Sequence, residues 1–234
     1  MMLLFLLINL TIDDLVKNYS VPLNKISIVI YSLDEEKMLF AHNENKPLIP
    51  ASNMKLIISA YLIENWQKIF LKGYQKNKVL AEINSKSNNR LANRLFYFIG
   101  QSQKKSSEKV LLAFLKEKGI PVGGIRIFDG AGFSKKNRLT TLAITKLLIY
   151  LYNSPYQQEF LRSLAVAGKR GTLKRRLINY KKKIYAKTGY LKNVRSLSGY
   201  YFKNNKKYCF SIIINWPLKK GNYWQFLNQL FSCL

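Results

Sequence analysis

With 234 residues, 48% of them hydrophobic and 22% charged, the chain is long enough for one substantial core with a second lobe, and too apolar for a disordered polymer. Its charge is lopsided: 39 Lys and Arg against 12 Asp and Glu give a formal net of +27, and no acidic residue follows Glu159. Two cysteines, Cys209 and Cys233, exclude a dense disulfide scaffold and a zinc pattern, and neither imply nor forbid a bridge to each other.

The chain opens on an apolar run, Met1 to Leu10, too short to span a bilayer as a helix. It suits the apolar region of an export signal, although it lacks a basic leader and a small-residue cleavage site; a buried first helix is the competing reading. Residues 25–42, "KISIVIYSLDEEKMLFAH", alternate at Ile26, Ile28 and Ile30 around a polar "SLDEEK" turn, which predicts a hairpin. The lone histidine, His42, lies in the turn-like "FAHNENKP" and reads as a surface residue, so a Ser-His-Asp triad has little to draw on. A helix is expected from Ser52 to about Trp66, a second from Ser87 to Phe98 and a third from Ser107 to Glu117. "IRIFDGAGFSKKNRLTT" reads as loop hinged at Gly130 and Gly132; Thr140 or Thr141 caps the next helix, and Ser154-Pro155 starts a short one. Then the period changes. "KKKIYAKTGY", "SLSGYYFKN" and "KKYCFSIIINW" predict a three-stranded meander, followed by an amphipathic helix, "NYWQFLNQLFSCL".

Strands at both ends and helices between them predict an α+β fold: an antiparallel sheet built from residues 25–45 and 180–234, with a helical lobe over about 50–175. Residues 1–20 are set aside as signal or first helix, and 21–234 form a single domain. The basic surface predicts attraction to polyanions such as nucleic acid, anionic lipid or an acidic wall polymer; a lysine-asparagine coding bias reads the same way.

The chemistry begins with "PASNMKLIISA". Ser52 and Lys55 are three apart and share a helical face, and the lysine is surrounded by apolar residues. Burial favours a neutral amine, which accepts the serine proton and makes the hydroxyl a nucleophile. N–H groups free at the helix start suit a developing oxyanion. Alone, the pair reads equally as an N-cap serine with a snorkelling lysine. Two further stretches change the balance: Ser87-Asn88-Asn89 and Lys187-Thr188-Gly189. S-x-x-K, S-x-N and K-T-G in that order form the signature of serine penicillin-binding proteins and β-lactamases.

The surrounding segments narrow the resemblance. "PASNMKLIISA", "NSKSNNRLANRLF", "FDGAGFSKKNRLTT", "VAGKRGTLKRRL" and "YAKTGYLKNVRSLSGY" resemble segments of the D-alanyl-D-alanine carboxypeptidase/endopeptidase family, the class C low-molecular-mass penicillin-binding proteins of peptidase family S13. The resemblance runs from about residue 25 to about 215 and implies the serine β-lactamase/penicillin-binding-protein fold. It implies a transpeptidase-like domain that cleaves D-alanyl peptide bonds of peptidoglycan through an acyl-enzyme. Ser52 is then the nucleophile, Lys55 its base and Ser87 a proton relay. Asn89 holds the substrate amide, and Lys187 and Thr188 hold the terminal carboxylate. The N–H groups of Ser52 and Tyr190 form the oxyanion hole beside Gly189. No metal or cofactor is implied. The implied partners are peptidoglycan stem peptides and, as covalent inhibitors, β-lactams; an anionic envelope surface is a further partner, and no specific nucleic acid is expected. The implied location is the periplasm or the extracytoplasmic face, with the N-terminal run as a further membrane contact.

The chain departs from the family pattern at several points. Only 35 positions separate Ser52 from Ser87, where the family carries a large insertion. Asn88 replaces an aspartate, Ala131 a serine, Arg170 an aspartate of an internal salt bridge, and Tyr190 a carboxylate-binding threonine. A degenerate wall-binding relative and a β-lactamase are the alternatives. The second needs a deacylating carboxylate, and only Glu108, Glu117, Asp129 and Glu159 lie between the second and third motifs.

Overall fold

The first strand of the sheet lies beside the last. In the computed structural model, which describes residues 14–69 and 73–234, β1 (Ile26–Ser32) pairs antiparallel with β6 (Lys206–Ile214) from Ile26↔Ile214 to Ser32↔Tyr208. The apolar run Met1 to Leu10 falls outside the described residues; residues 14–18 are helical, with Leu15 and Val16 buried. The full order is β2-β1-β6-β5-β4-β3, with β2 (Lys37–His42), β3 (Ala165–Val166), β4 (Ile184–Leu191) and β5 (Val194–Lys203). Every neighbouring pair is antiparallel. β1, β5 and β6 are central and covered on both faces, so most of their residues are buried whichever way they point.

Seven helices complete the described chain: α1 (Lys55–Asn65), α2 (Lys76–Asn84), α3 (Asn89–Ser102), α4 (Ser107–Glu117), α5 (Thr141–Tyr152), α6 (Gln157–Ser163) and α7 (Lys220–Ser232). Helices α1 to α6 make the lobe on one face, packed with Tyr200, Cys209 and Ile213 of the sheet. Helix α7 covers the other face, against Ile26, Ile28, Ile30, Phe210, Ile212 and Ile214. Helix α1 is buried from Lys55 to Ile63, as expected of a helix apolar all round and packed on every side. On the lobe-facing side the central strands carry Ser27, Ser196, Ser198 and Ser211, all buried. Short side chains there leave room for α5 and for the segment before α1: Ser27 Oγ lies 2.6 Å from Thr141 Oγ1, and Ser196 Oγ donates to Pro50 O at 2.7 Å.

Two local expectations need correction, and Arg170 takes a role of its own. Helix α3 starts at Asn89, not Ser87; Asn88 is its cap and accepts from Leu91 N–H at 3.0 Å. Helix α2 has no counterpart in the sequence reading, because its apolar signal is only Val79, Leu80 and Ile83 among lysines and polar residues. Arg170 makes no ion pair among the described residues; its guanidinium donates to the carbonyls of Leu161, Arg162 and Leu164, closing the C-terminal end of α6. Among the described residues no helix is long and apolar enough to cross a membrane.

Candidate active site

Ser52 stands in a single 3-10 turn, Ala51–Met54, that runs directly into α1. A spacing of three eclipses side chains in such a turn, so Lys55 comes under Ser52. Lys55 Nζ lies 2.8 Å from Ser52 Oγ, 2.8 Å from Asn89 Oδ1 and 2.8 Å from the carbonyl oxygen of Ala131. Its side chain is wholly buried. Burial pulls its pKa down to about 7, against a smaller opposing pull from the Asp129 carboxylate. Two of the three neighbours, Asn89 Oδ1 and Ala131 O, only accept. A neutral amine satisfies both with its two hydrogens, and its lone pair is then left for the Ser52 hydroxyl.

Ser87 and Asn89 reach the same place from the start of α3. Ser87 holds a left-handed backbone at φ 61°, uncommon for a non-glycine residue, and Ala51 beside Ser52 does the same at φ 49°. From the sheet, Lys187 Nζ donates to Ser87 Oγ at 2.9 Å and to Thr188 O at 2.9 Å. Lys187 is fully buried, and burial, with the nearby Lys55, holds its pKa well below that of a free lysine. Its amine thus bridges the two halves of the cleft, from the sheet to Ser87. Gly189 leaves no room for a side chain: a Cβ would come 2.1 Å from Ser196 Oγ, 3.0 Å from Pro50 O and 3.1 Å from Ala51 Cβ. Thr188 Oγ1 donates to Thr172 Oγ1 at 2.8 Å, and Tyr190 is exposed. Strand β3 pairs only with Tyr185 and Ala186, so among the described strands the outer edge of β4 is free from Lys187 onward, beside Ser52 and Ser87.

The structure therefore gathers Ser52, Lys55 and Asn89 around one amine and joins Ser87 to Lys187. It also adds residues to which the sequence assigned no role. Asp129 accepts from the N–H groups of Gly132 (2.6 Å), Phe133 (3.0 Å) and Ser134 (2.6 Å) and from Asn137 Nδ2 (3.0 Å). Asn93 Oδ1 accepts from Ala131 N–H at 2.8 Å. Together these bonds fix the loop that presents the Ala131 carbonyl to Lys55. Their signal was the "FDGAGFSKKN" segment, in which an Asx-type turn around Asp129 was readable.

A family model, the D-Ala-D-Ala carboxypeptidase 3 (S13) family, matches residues 76–224. The chain belongs to this family. The matched part holds Ser87, Asn89 and Lys187; Ser52 and Lys55 precede it. Among curated relatives, D-alanyl-D-alanine carboxypeptidase DacB of Haemophilus influenzae is 28% identical over 132 residues, 52% of this chain and 28% of the relative. The D-alanyl-D-alanine carboxypeptidase of Actinomadura sp. is 33% identical over 104 residues, 42% of this chain and 19% of the relative. The chain thus matches under a third of the length of either. Penicillin binding protein 4 of H. influenzae superimposes with a TM-score of 0.62 at 25% identity, over 66% of this chain and 38% of that one. A β-lactamase from Chitinophaga pinensis shares the fold over 95% of this chain and 96% of its own, with a TM-score of 0.75 at 12% identity. The fold is therefore that of the serine β-lactamases and penicillin-binding proteins.

Proposed function

We propose that this protein is a serine D,D-carboxypeptidase/endopeptidase that cleaves D-alanyl peptide bonds of peptidoglycan stem peptides through an acyl-enzyme on Ser52. One observation carries the reading: a wholly buried lysine amine, poised near neutral pH, 2.8 Å from a half-buried serine hydroxyl. Ser52 Oγ attacks the carbonyl carbon of the penultimate D-alanine, and its proton passes to Lys55 Nζ. The N–H groups of Ser52 and Tyr190 take up the developing negative charge. The C–N bond breaks as the leaving amine gains a proton through Ser87, whose hydroxyl is bonded to Lys187. Asn89 keeps one side of its amide on Lys55 and turns its N–H donors to the substrate. Water then attacks the ester and frees Ser52. Family membership supports the substrate class and, with it, a periplasmic or extracytoplasmic site of action.

The β-lactamase alternative has less support. Glu108 accepts from Ile127 N–H at 3.0 Å, Glu117 and Glu159 pair with Lys118 and Lys76, and Asp129 is filled by four donors. None of the four is bonded to Ser52 or Lys55.

Incubation with a penicillin is expected to add the mass of one drug molecule, on Ser52, and Ser52→Ala is expected to remove the adduct while keeping the fold. Intact-protein and peptide mass spectrometry read both. An unmodified protein after long exposure to several β-lactams, or an adduct that survives in Ser52→Ala, overturns the assignment.

The net charge of +27 carries a separate expectation. Retention on purified wall sacculi or anionic vesicles should fall sharply between low salt and about 0.15 M, where exposed charges are screened over roughly 8 Å. Turnover of a short D-Ala-D-Ala peptide should change only modestly. Salt-independent retention points to coding bias instead. Turnover that collapses as steeply as retention places the basic surface within the substrate site.

A further inference from the structure

On the α7 face of the sheet, under the outer end of β4, lies a small pocket of ≈ 70 Å³. Thr188, Tyr190 and Arg195 line it from the strands, Arg176 from the loop before β4, and Lys220 and Tyr223 from α7. It has three cations and no carboxylate. None of the three is in an ion pair among the described residues, and no acidic residue follows Glu159 in the chain.

Two buried donors in this pocket have nothing to bond among the described residues. Arg195 is 9% exposed; its Nη1 donates to Leu191 O and Val194 O and its Nη2 to Leu218 O, but its Nε is buried without a partner. The Tyr223 hydroxyl is also buried and unpartnered, in a residue 2% exposed. Native structures rarely leave one buried donor unsatisfied, and two around one small space call for an acceptor. Burial raises the Tyr223 pKa even though both guanidinium groups oppose it, so the phenol stays a neutral O–H donor. The space is small and its polar lining is made of donors, which suits a compact anion such as a carboxylate.

Thr188 and Gly189 belong both to this pocket and to the Lys187-Thr188-Gly189 edge of the cleft, so the pocket adjoins the cleft along β4. Tyr190, which lacks the threonine hydroxyl of the family, instead lays its ring 4.2 Å from the Arg195 guanidinium and fixes that plane. We propose that Arg195 Nε and the Tyr223 hydroxyl, with Arg176 supplying further charge, bind the terminal carboxylate of the D-alanyl peptide; this rests on the peptidase reading above. Lys187, pinned to Ser87, is then free of that duty.

The test compares a D-Ala-D-Ala peptide with its C-terminal carboxamide, on the wild type and on Tyr223→Phe. That substitution removes only a hydroxyl with no partner in the fold, and circular dichroism verifies the fold. The variant is expected to raise KM for the acid about tenfold, as for loss of one hydrogen bond to a charged group, with kcat changed less and the carboxamide unaffected. Equal effects on acid and carboxamide, or none on the acid, overturn the proposal. If the wild type cleaves neither peptide, the peptidase reading fails, and the pocket is judged by melting-temperature shifts instead. Stabilisation by N-acetyl-D-alanine but not its amide, lost in Tyr223→Phe, supports carboxylate binding there. No shift, or an equal shift with inorganic phosphate, overturns it.

Discussion

Lys55→Arg is expected to lower the rate of acylation by a penicillin by about a thousandfold, the usual reach of a positioned general base. Arginine can still donate toward Asn89 and Ala131, but it stays charged near neutral pH and has no lone pair to receive the proton of Ser52. The wild-type rate should follow the neutral fraction of Lys55: a tenfold gain per pH unit below about 7 and a plateau above. Stability carries the same sign. Between about 7 and the ordinary lysine value of 10.5, the unfolded chain holds a proton on this residue that the folded chain does not, so its contribution to stability rises with pH through that window and is lost as pH falls through about 7. Stopped-flow acylation across pH measures the profile. A flat profile from pH 6 to 9, or a Lys55→Arg protein acylated at the native rate, would show that another group takes the proton.

Gly132→Ala is expected to cost about 3 kcal/mol or more and to impair acylation as well. Gly132 has φ 82°, and a Cβ there would fall 1.8 Å from the carbonyl oxygen of Ala51 and 2.4 Å from its carbon. Both atoms are backbone, so no side chain can swing aside; the turn carrying Ser52 must move. For a chain of this size the melting temperature should drop by roughly 6–12 °C. Gly119→Ala is the control: φ is 67° but nothing lies within 4 Å of the added methyl. It should cost only the backbone strain, about 1 kcal/mol, and leave acylation intact. Equal losses for the two variants would remove the clash from the explanation.

Much of this architecture was legible in the chain because its strongest signals are local. The meander announces itself through β-branched and aromatic runs broken by "LKNVR" and "KNNKK", and β4, β5 and β6 fall on those runs. The three-residue spacing of Ser52 and Lys55 already placed one side chain over the other. What escaped was set by tertiary context. Helix α2 is too short and too rich in lysine to show a face, and gains its order from packing of Val79, Leu80 and Ile83 into the lobe. Strand β3 has two residues, which no periodicity can reveal. The segment around Asp129 shows a turn, but not its four donors, which come from a loop whose path depends on Asn137 and Asn93. The pinning of Lys187 by Ser87 spans 100 positions, and no local pattern distinguishes a buried lysine from a solvated one.

The pairing of β1 with β6 also governs how the molecule can come into being. Ile26 meets Ile214 across nearly the whole described chain, so this ladder closes a very large loop, and its entropy is lost before its contacts are gained. Until β6 arrives, the β1–β2 hairpin presents Ile26, Ile28 and Ile30 on an unpaired edge, the kind of edge that recruits strands from other molecules. The strand carrying Lys187 precedes β6 in the chain and reaches β1 only through β5 and β6. Slow refolding, with yields that fall as protein concentration rises, is the natural outcome of such a topology. Recovery of Ser52 reactivity should then lag behind collapse and track the formation of the β1–β6 seam.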